Sequence, residues 1–355
     1  MFKKLKHYGV QGVPLQWFKN YLADRFQFVS CNGVLSEYKP ITCGVPQGSV
    51  LGPTLFLLYI NDLPNSNDYF TFRLFADDSN LFHTFPVRKY EIDLREITIE
   101  LKKVLDWCNV NKLTINLSKT NYMLIRGRRQ AINVQGRIQI MNTDLHEVDV
   151  TTFIGVDIDK HLTWKSHIAK VKLCIRKKVG ILYRLRNFVP RNILILLYKT
   201  FIQPHITYGI EVWGGARKVD LNSILLIQKM AIRAITFSTF MTRSRPLFRD
   251  LKIFDVYQLH RLSICSFMYD LINENLPHSL PQYCSLIQHG YSTRKKEDEN
   301  LYIPKVKTSL GKECLSYLGT TFWNDLPIII RKKPSRSSFR KAVIELLLER
   351  THEIL

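Results

Sequence analysis

An α+β fold is what this 355-residue sequence predicts, and three observations predict it. The first 160 residues alternate short apolar runs with turn residues, the pattern of mostly antiparallel strands, with amphipathic helices between them. From Trp164 onward the apolar residues fall at steps of three and four, the period of a helix. The charge divides at the same place: residues 1–160 carry 19 Lys and Arg against 16 Asp and Glu, residues 161–355 carry 32 against 14. The expected organisation is a mixed domain over 1–160, a basic helical domain over 161–250 and a helical C-terminal region over 251–355.

Pro14 to Arg25 has helical spacing, with Leu15, Phe18 and Leu22 on one face and Pro14 at the first position. FQFVSCNGVLSEYKPI reads as a β-hairpin turning at Asn32-Gly33. GVPQGSVLGP is a Gly/Pro-rich loop. It feeds TLFLLYINDL, apolar almost all round and so expected as a buried helix. YFTFRLF and NLFHTF are strand-like runs on either side of Asp77 and Asp78. Tyr90 to Asn111 is expected as one amphipathic helix. Leu94, Ile97, Leu101, Val104 or Leu105, and Cys108 share its inner face, while Glu91, Asp93, Glu96 and Glu100 share a solvated one. NYMLI, RIQI and FIGVDID read as further strands.

Trp164, Ile168, Val171, Ile175, Val179, Leu182 and Leu185 then mark about six turns of helix. Helical runs continue near 190–203, 219–237 and 255–274. TRKKEDEN, from Thr293, is expected in a surface loop, and RKKPSRSSFRKAVIELLLE supplies a Ser-rich cap and a last helix.

A composition of 46% hydrophobic and 12% aromatic residues excludes a disordered chain. The net charge of +21 points to a polyanionic partner, because each phosphate neutralised releases counterions. From Lys160 to Ile210 there are eleven basic residues and no acidic one, which favours nucleic acid over a merely solvated surface. The seven cysteines are scattered without a C-x-x-C pair, so neither a zinc site nor a disulfide framework is expected. An intracellular setting, nucleus or cytoplasm, is therefore expected, and not secretion. The first residues are too polar and too broken by Gly and Pro for a signal peptide, and no run of membrane-spanning length appears.

The chemistry concentrates in FADDSNLF. A turn between two apolar strands puts Asp77 and Asp78 at the tip of a hairpin. Two neighbouring carboxylates resist ionising together unless a cation lies beside them. Mg²⁺ suits such a pair, since it takes a few carboxylates together with substrate phosphates. Asp-Asp in a turn is also ordinary turn chemistry, so the dipeptide alone decides nothing. Other chemistries are weak. The ten histidines show no metal spacing, Ser49 has no G-x-S-x-G elbow, and Cys43 is expected to be a packing residue. Asp62 in NDLP reads as a cap or turn residue, and Tyr59 and Trp213 as core.

FADD between apolar strands, preceded by GVPQGSVLGPTLFLLYINDLP, resembles the palm of a reverse transcriptase, nearest to those of jockey-like non-LTR (LINE-type) retrotransposons. NKLTINLSKTNYMLI resembles the next palm motif, and FIGVDID the hairpin that grips the primer. LTWKSHI and FIQPHITYGIEVWGG resemble the thumb. TFWNDLP and SSFRKAV resemble the tail. The order is kept over nearly the whole chain. The resemblance implies a partial right-hand polymerase palm, an antiparallel sheet with helices, followed by a basic thumb.

It also implies RNA-directed DNA polymerisation by two Mg²⁺ ions, with Mn²⁺ as a substitute, that clamp the attacking oxygen and the leaving pyrophosphate. Asp77 and Asp78 would be the metal ligands. Gln47, Gly48 and Ala76 would line the template and nucleotide site, and Lys119 would sit by the leaving phosphates as cation and general acid. Phe153 and Gly155 would belong to the primer grip. Lys165, Lys172, Arg176 and Arg184 would follow the nucleic-acid backbone. The implied partners are an RNA template, a DNA primer or RNA–DNA hybrid, and a deoxynucleoside triphosphate, with neither membrane nor zinc.

The family's first catalytic aspartate, in a segment reading like F-D-x-V, is not found, and the chain opens at KKLKHYG, just past its expected place. The expectation is an N-terminally truncated polymerase lacking that aspartate and the fingers, with its metal weakly held and little activity alone. The alternative is a non-catalytic remnant that binds RNA or RNA–DNA hybrid. A weaker third reading is a decayed copy that folds poorly, because a missing strand leaves a sheet edge open.

Overall fold

The computed structural model describes residues 1–85, 91–128, 133–277 and 300–353, which form two units. The first comprises Met1–Tyr122 with Gly127–Val148, the second Met123–Arg126 with Asp149–Leu355.

The first unit begins with helices α1 (Phe2–His7) and α2 (Gly12–Leu22). α2 starts two residues before Pro14, which therefore takes the third helical position. Its missing N–H is still among the first four that lack an intrahelical acceptor, so the helix tolerates it. Leu5 and Leu15 bury against Leu55 of α3 (Gly52–Ile60). The expectation of a buried helix fails for α3: Leu57 is half exposed, because α1 and α2 cover one face only. One ammonium ties this corner together. Lys4 Nζ lies 2.6 Å from Asp62 Oδ1 and donates to the Tyr59 carbonyl at 2.6 Å. It also sits over the rings of Tyr59 and Trp107, 4.4 and 4.6 Å from their centroids. Asp62 does precede a turn, the 3-10 segment Leu63–Ser66. Tyr59, expected in the core, is half-buried, and its hydroxyl donates to the Asn111 carbonyl at 2.6 Å. Cys43, expected to be packed, is exposed.

Strands β1 (Phe26–Gln27), β2 (Ser30–Cys31), β3 (Val34–Leu35) and β4 (Lys39–Pro40) form the expected hairpin, with β1 paired to β4 and β2 to β3. Asn32 (φ 50) and Gly33 (φ 82) make its two-residue turn. β5 (Thr71–Phe75) and β6 (Asp78–Phe82) form a second hairpin. Tyr90 lies outside the described residues, and the helix expected from it starts only at Leu94. Glu91–Asp93 form a strand, β7, and α4 (Leu94–Val110) follows, with Asp93 Oδ1 accepting from the Arg95 N–H at 2.9 Å.

Five short strands follow α4: β8 (Asn121–Tyr122), β9 (Asn133–Gln135), β10 (Gln139–Ile140), β11 (Thr143–Asp144) and β12 (His146–Glu147). β7 pairs with β9 and β8 with β12 in parallel, and β10 with β11 antiparallel. Among the described residues the sheet structure is thus a set of two-stranded ladders, mostly antiparallel. NYMLI and RIQI each contribute only two residues to a ladder.

The second unit opens with a hairpin, β13 (Val150–Phe153) and β14 (Val156–Asp159). Asp159 then builds the start of α5 (Lys165–Leu185). Its Oδ2 accepts from the N–H groups of Thr163 and Trp164, each at 2.8 Å, and from the Thr163 hydroxyl at 3.0 Å. Trp164 is left-handed there (φ 62). The expected apolar stripe is the buried face: Ile168, Val171, Ile175, Val179 and Leu182 all enter one core.

The run expected near 190–203 is segmented into α6 (Arg191–Leu197), a π-helical turn (Tyr198–Ile202) and α7 (Gln203–Thr207). Pro204 explains the break, since it has no N–H to offer the preceding turn. α8 (Ile210–Trp213), α9 (Lys218–Ile235), α10 (Ser244–Asp250) and α11 (Val256–Ile272) complete the core, in which Trp213 is fully buried, as expected. The helices Leu315–Asn324 and Arg336–Glu353 pack on α11, where Phe339 stacks on Tyr269 at 4.5 Å. The TRKKEDEN cluster, Asn300 apart, lies outside the described residues. No helix among the described residues is long and apolar enough to cross a membrane.

Candidate functional site

The acidic pair sits on the hairpin β5–β6, but not symmetrically. Phe75 pairs with Asp78, so the two-residue loop is Ala76-Asp77 and Asp78 is the first residue of β6. The expectation that both acids occupy the tip is corrected to that extent. Directly opposed residues share a face, which puts Asp78 with Phe75, Arg73 and Asn80, and Phe72 with Leu74, Ser79 and Leu81. Phe72 is buried and Phe75 exposed, so Asp78 lies on the open face, and Asp77 is exposed in the loop beside it. Ala76 has φ 50, where a two-residue loop favours Gly or Asn. Alanine there costs on the order of 1 kcal/mol.

Both carboxylates are exposed, and neither has a hydrogen-bond or ion-pair partner among the described residues. A pair of neighbouring hard-oxygen donors fits Mg²⁺, which accepts one or two carboxylates and completes its shell with water and phosphate. Among the described residues no group of three or more His, Cys, Asp and Glu gathers as a metal site.

Gln47 and Gly48 lie exposed in the loop before α3, and Gly48 has φ +80. Ser49, which the sequence offered only as an unsupported nucleophile, is the clamp of this loop. Its hydroxyl donates to the Pro46 carbonyl at 2.8 Å and accepts from the Gly52 N–H at 3.0 Å. A Cβ on Gly52 would lie 3.0 Å from both Pro46 O and Ser49 Oγ, so the close turn favours glycine. Lys119 is exposed in the turn Asn116–Thr120, its N–H donating to the Asn116 carbonyl at 3.1 Å. Asp77 and Asp78 are neighbours by sequence, one in the loop and one at the start of β6. Gln47 with Gly48, and Lys119, stand on separate loops with no hydrogen bond or ion pair joining them to the acids among the described residues.

In the second unit Phe153, paired with Val156, closes the ladder of β13–β14, and Ile154 (φ 45) and Gly155 (φ 75) are the two central residues of its turn. Sequence reasoning missed what holds this turn. The Tyr208 hydroxyl donates to the Ile154 carbonyl at 2.7 Å, and a Cβ on Gly155 would lie 3.2 Å from Tyr208 Cε1. It also missed Asp157, buried in β14, which accepts from Lys170 Nζ at 2.9 Å and from the Thr152 hydroxyl at 2.8 Å. Burial pushes the Asp157 carboxyl up, but these two donors outweigh it and hold it below the usual range. Burial pushes the neighbouring His167 imidazole down, against the pull of Asp157. No local pattern announces these links. The one hint was an Asp in an otherwise apolar strand run.

Lys165, Lys172, Arg176 and Arg184 are all exposed on α5. Spacings of seven and four put the first three on one stripe, with Arg184 about a quarter-turn away.

Residues 1–158 match the model of the family described as reverse transcriptase (RNA-dependent DNA polymerase). The chain is 30% identical over 254 residues to the RNA-directed DNA polymerase from mobile element jockey of Drosophila melanogaster, covering 66% of this chain and 26% of that protein. It is 28% identical over 271 residues to the probable RNA-directed DNA polymerase from transposon X-element of the same fly, covering 72% and 29%. To that from transposon BS it is 29% identical over 264 residues, covering 70% and 28%. The aligned part of the chain thus spans between a quarter and a third of the length of these relatives.

Proposed function

We propose that this chain, similar over residues 1–158 to the reverse transcriptase family and farther along to the jockey and X-element polymerases, supplies nucleotidyl-transfer and nucleic-acid-holding parts of the RNA-directed DNA polymerase of a jockey-like non-LTR retrotransposon. The observation that carries this reading is the hairpin β5–β6, which holds two adjacent carboxylates, without a partner among the described residues, out to solvent. Asp77 and Asp78 would hold Mg²⁺, or Mn²⁺ in its place. Bound there, the metal supplies neutralising charge at the attacking oxygen and the nucleotide phosphates.

The chain's own residues bind and orient. Ala76 and the Gln47-Gly48 loop would bracket the template base and the incoming deoxynucleoside triphosphate, with Gly48 allowing close backbone approach. Lys119 would place a cation and a proton donor at the leaving phosphates. In this reading the first unit belongs to the palm, β13–β14 grips the primer through Phe153 and Gly155, and α5 belongs to the thumb. Lys165, Lys172, Arg176 and Arg184 would contact phosphates of an RNA–DNA hybrid whatever its sequence.

Two carboxylates leave most of the metal's shell to water and substrate, so extension by the 355-residue polypeptide by itself is expected to be weak. The basic surface of α5, inside an acid-free stretch, favours a second reading in which this polypeptide holds RNA–DNA hybrid without extending it. Primer extension on an RNA template with Mg²⁺ or Mn²⁺, run beside hybrid binding over a salt series, tests both. Extension that disappears in Asp77→Ala supports the enzyme. Salt-sensitive hybrid binding, indifferent to Asp77→Ala and without extension, supports the binding module. Neither extension nor binding overturns the proposal.

A further inference from the structure

One end of the second unit carries rings that its own fold does not cover. Phe188, in the turn that ends α5, is 84% exposed. Phe237 and Phe240, just past α9, are 52% and 77% exposed. None of the three belongs to the core, which α5 and α9 fill with aliphatic residues. Arginines lie beside two of these rings, and Phe188 follows Arg186 by two residues. The Arg186 guanidinium lies 5.4 Å from the centroid of Tyr183 and 5.9 Å from that of Phe237. The Arg233 guanidinium lies 5.5 Å from the centroid of Phe240, fixed there by donating from Nε and Nη2 to the Thr242 carbonyl at 3.1 and 3.0 Å. The Tyr183 hydroxyl donates to the Met230 carbonyl at 3.3 Å, so the ends of α5 and α9 form one surface.

Two further observations set this surface apart from ordinary exposed apolar residues. Phe237 has φ 55, a left-handed position just after a helix that usually falls to Gly or Asn. A bulky ring held there is strained, and nothing in the core requires it. The surface also joins two acid-free stretches. Residues 160–210 contain no Asp or Glu, and neither do residues 221–249, which carry five Lys and Arg. The face is therefore aromatic and positive at once.

We propose that this face is a binding platform for single-stranded nucleic acid, on which Phe188, Phe237 and Phe240 stack unpaired bases while Arg186 and Arg233 meet phosphates and base faces. Every base has a π-face, and a ring with a guanidinium over it accepts bases without regard to sequence. Paired bases are already stacked on one another and cannot present their faces to these rings. The platform is thus distinct from the lysine and arginine stripe of α5, which meets phosphates only. It rests on the reading that this chain handles nucleic acid, and it assigns the unpaired strand a place of its own.

Fluorescence anisotropy of the full 355-residue chain tests this with four probes: oligo-uridine RNA, oligo-thymidine DNA, an abasic oligonucleotide of equal length and a blunt RNA–DNA hybrid. The triple variant Phe188→Ala, Phe237→Ala, Phe240→Ala is expected to bind both base-bearing single strands at least about tenfold more weakly. Its affinity for the hybrid and the abasic strand is expected to stay within about twofold, since these use charge alone. Phe→Trp at the same three positions is expected to restore single-strand affinity, which a folding defect would not allow. Whichever single strand binds tighter identifies the sugar the platform serves. Unchanged single-strand affinity overturns the proposal, as does an equal loss on all four probes. If the wild-type chain binds single strands through these rings but ignores the hybrid, the platform stands and the hybrid-holding reading falls.

Discussion

The Tyr208 hydroxyl donates to the carbonyl of Ile154 at 2.7 Å, across 54 residues of sequence, and so pins the turn proposed to grip a primer. Tyr208 also lies under Gly155, where an added Cβ would come within 3.2 Å of its ring. Tyr208→Phe removes one exposed hydrogen bond and should cost about 0.5–1 kcal/mol in unfolding. The larger effect should be local. Amide hydrogen exchange over 153–156 is expected to quicken by about tenfold while the core of α5 keeps its protection. Uniform exchange in the variant and the parent would show that the hydroxyl holds nothing.

Ile154 itself is the strained member of that turn. A β-branched side chain at φ 45 is an outlier, and the two-residue loop that it forms with Gly155 is the type that favours Asn-Gly. Ile154→Asn should therefore stabilise the chain by about 1 kcal/mol in a urea titration. If the isoleucine is kept to touch nucleic acid, the same variant should bind RNA–DNA hybrid more weakly despite being more stable. Gains in both would remove this turn from the binding surface.

Asp77 is exposed and has no partner among the described residues, so Asp77→Ala is expected to leave unfolding stability within about 0.5 kcal/mol of the parent. Relief of repulsion with Asp78 would move it slightly upward. Mn²⁺ binding, followed by the loss of the free-ion electron spin resonance signal, should fall in the variant. A chain that binds Mn²⁺ equally well without Asp77 holds its metal elsewhere.

The parts of this structure that were legible in the sequence are those written in local period. Trp164 to Leu185 declared both its helix and its buried face, and Asn32-Gly33 declared its turn, because each depends on neighbours a few residues away. Long-range partners leave no such trace. Glu91–Asp93 fitted a helical face as well as a strand, and only pairing with Asn133–Gln135, some forty residues on, decides the matter. α3 misled for another reason. Apolar residues need not be buried, and a helix with one covered face leaves Leu57 in solvent. The acidic pair was found from its residue types. That Asp78 belongs to a strand and Asp77 to the loop needed the register.

The stripe Lys165, Lys172 and Arg176 predicts a measurable electrostatic share of hybrid binding. For every phosphate that the chain no longer neutralises, the slope of log affinity against log salt should fall by about 0.9. Replacing all three with Gln is then expected to reduce the slope by about 2–3, uniformly across sequences, and to leave stability nearly unchanged because the side chains are exposed. A slope that does not move would place the hybrid on another surface.

His260 sets an acid limit on the second unit. It is buried in α11, its Nε2 lacks a hydrogen-bond partner among the described residues, and burial pushes the imidazole down to about 4. In the unfolded chain the same ring titrates near 6.5. Between those values the unfolded chain binds a proton that the folded one refuses, so stability present above about pH 6.5 is lost as the pH falls toward 4. A shift of that size corresponds to about 3 kcal/mol at its fullest. His260→Leu removes the titrating group without removing a bond at Nε2. Urea unfolding at pH 7.5 and 4.5 should show the parent losing more stability between the two than the variant, by about 2–3 kcal/mol. Equal losses in both would mean that the ring is reached by solvent and charged in the folded protein.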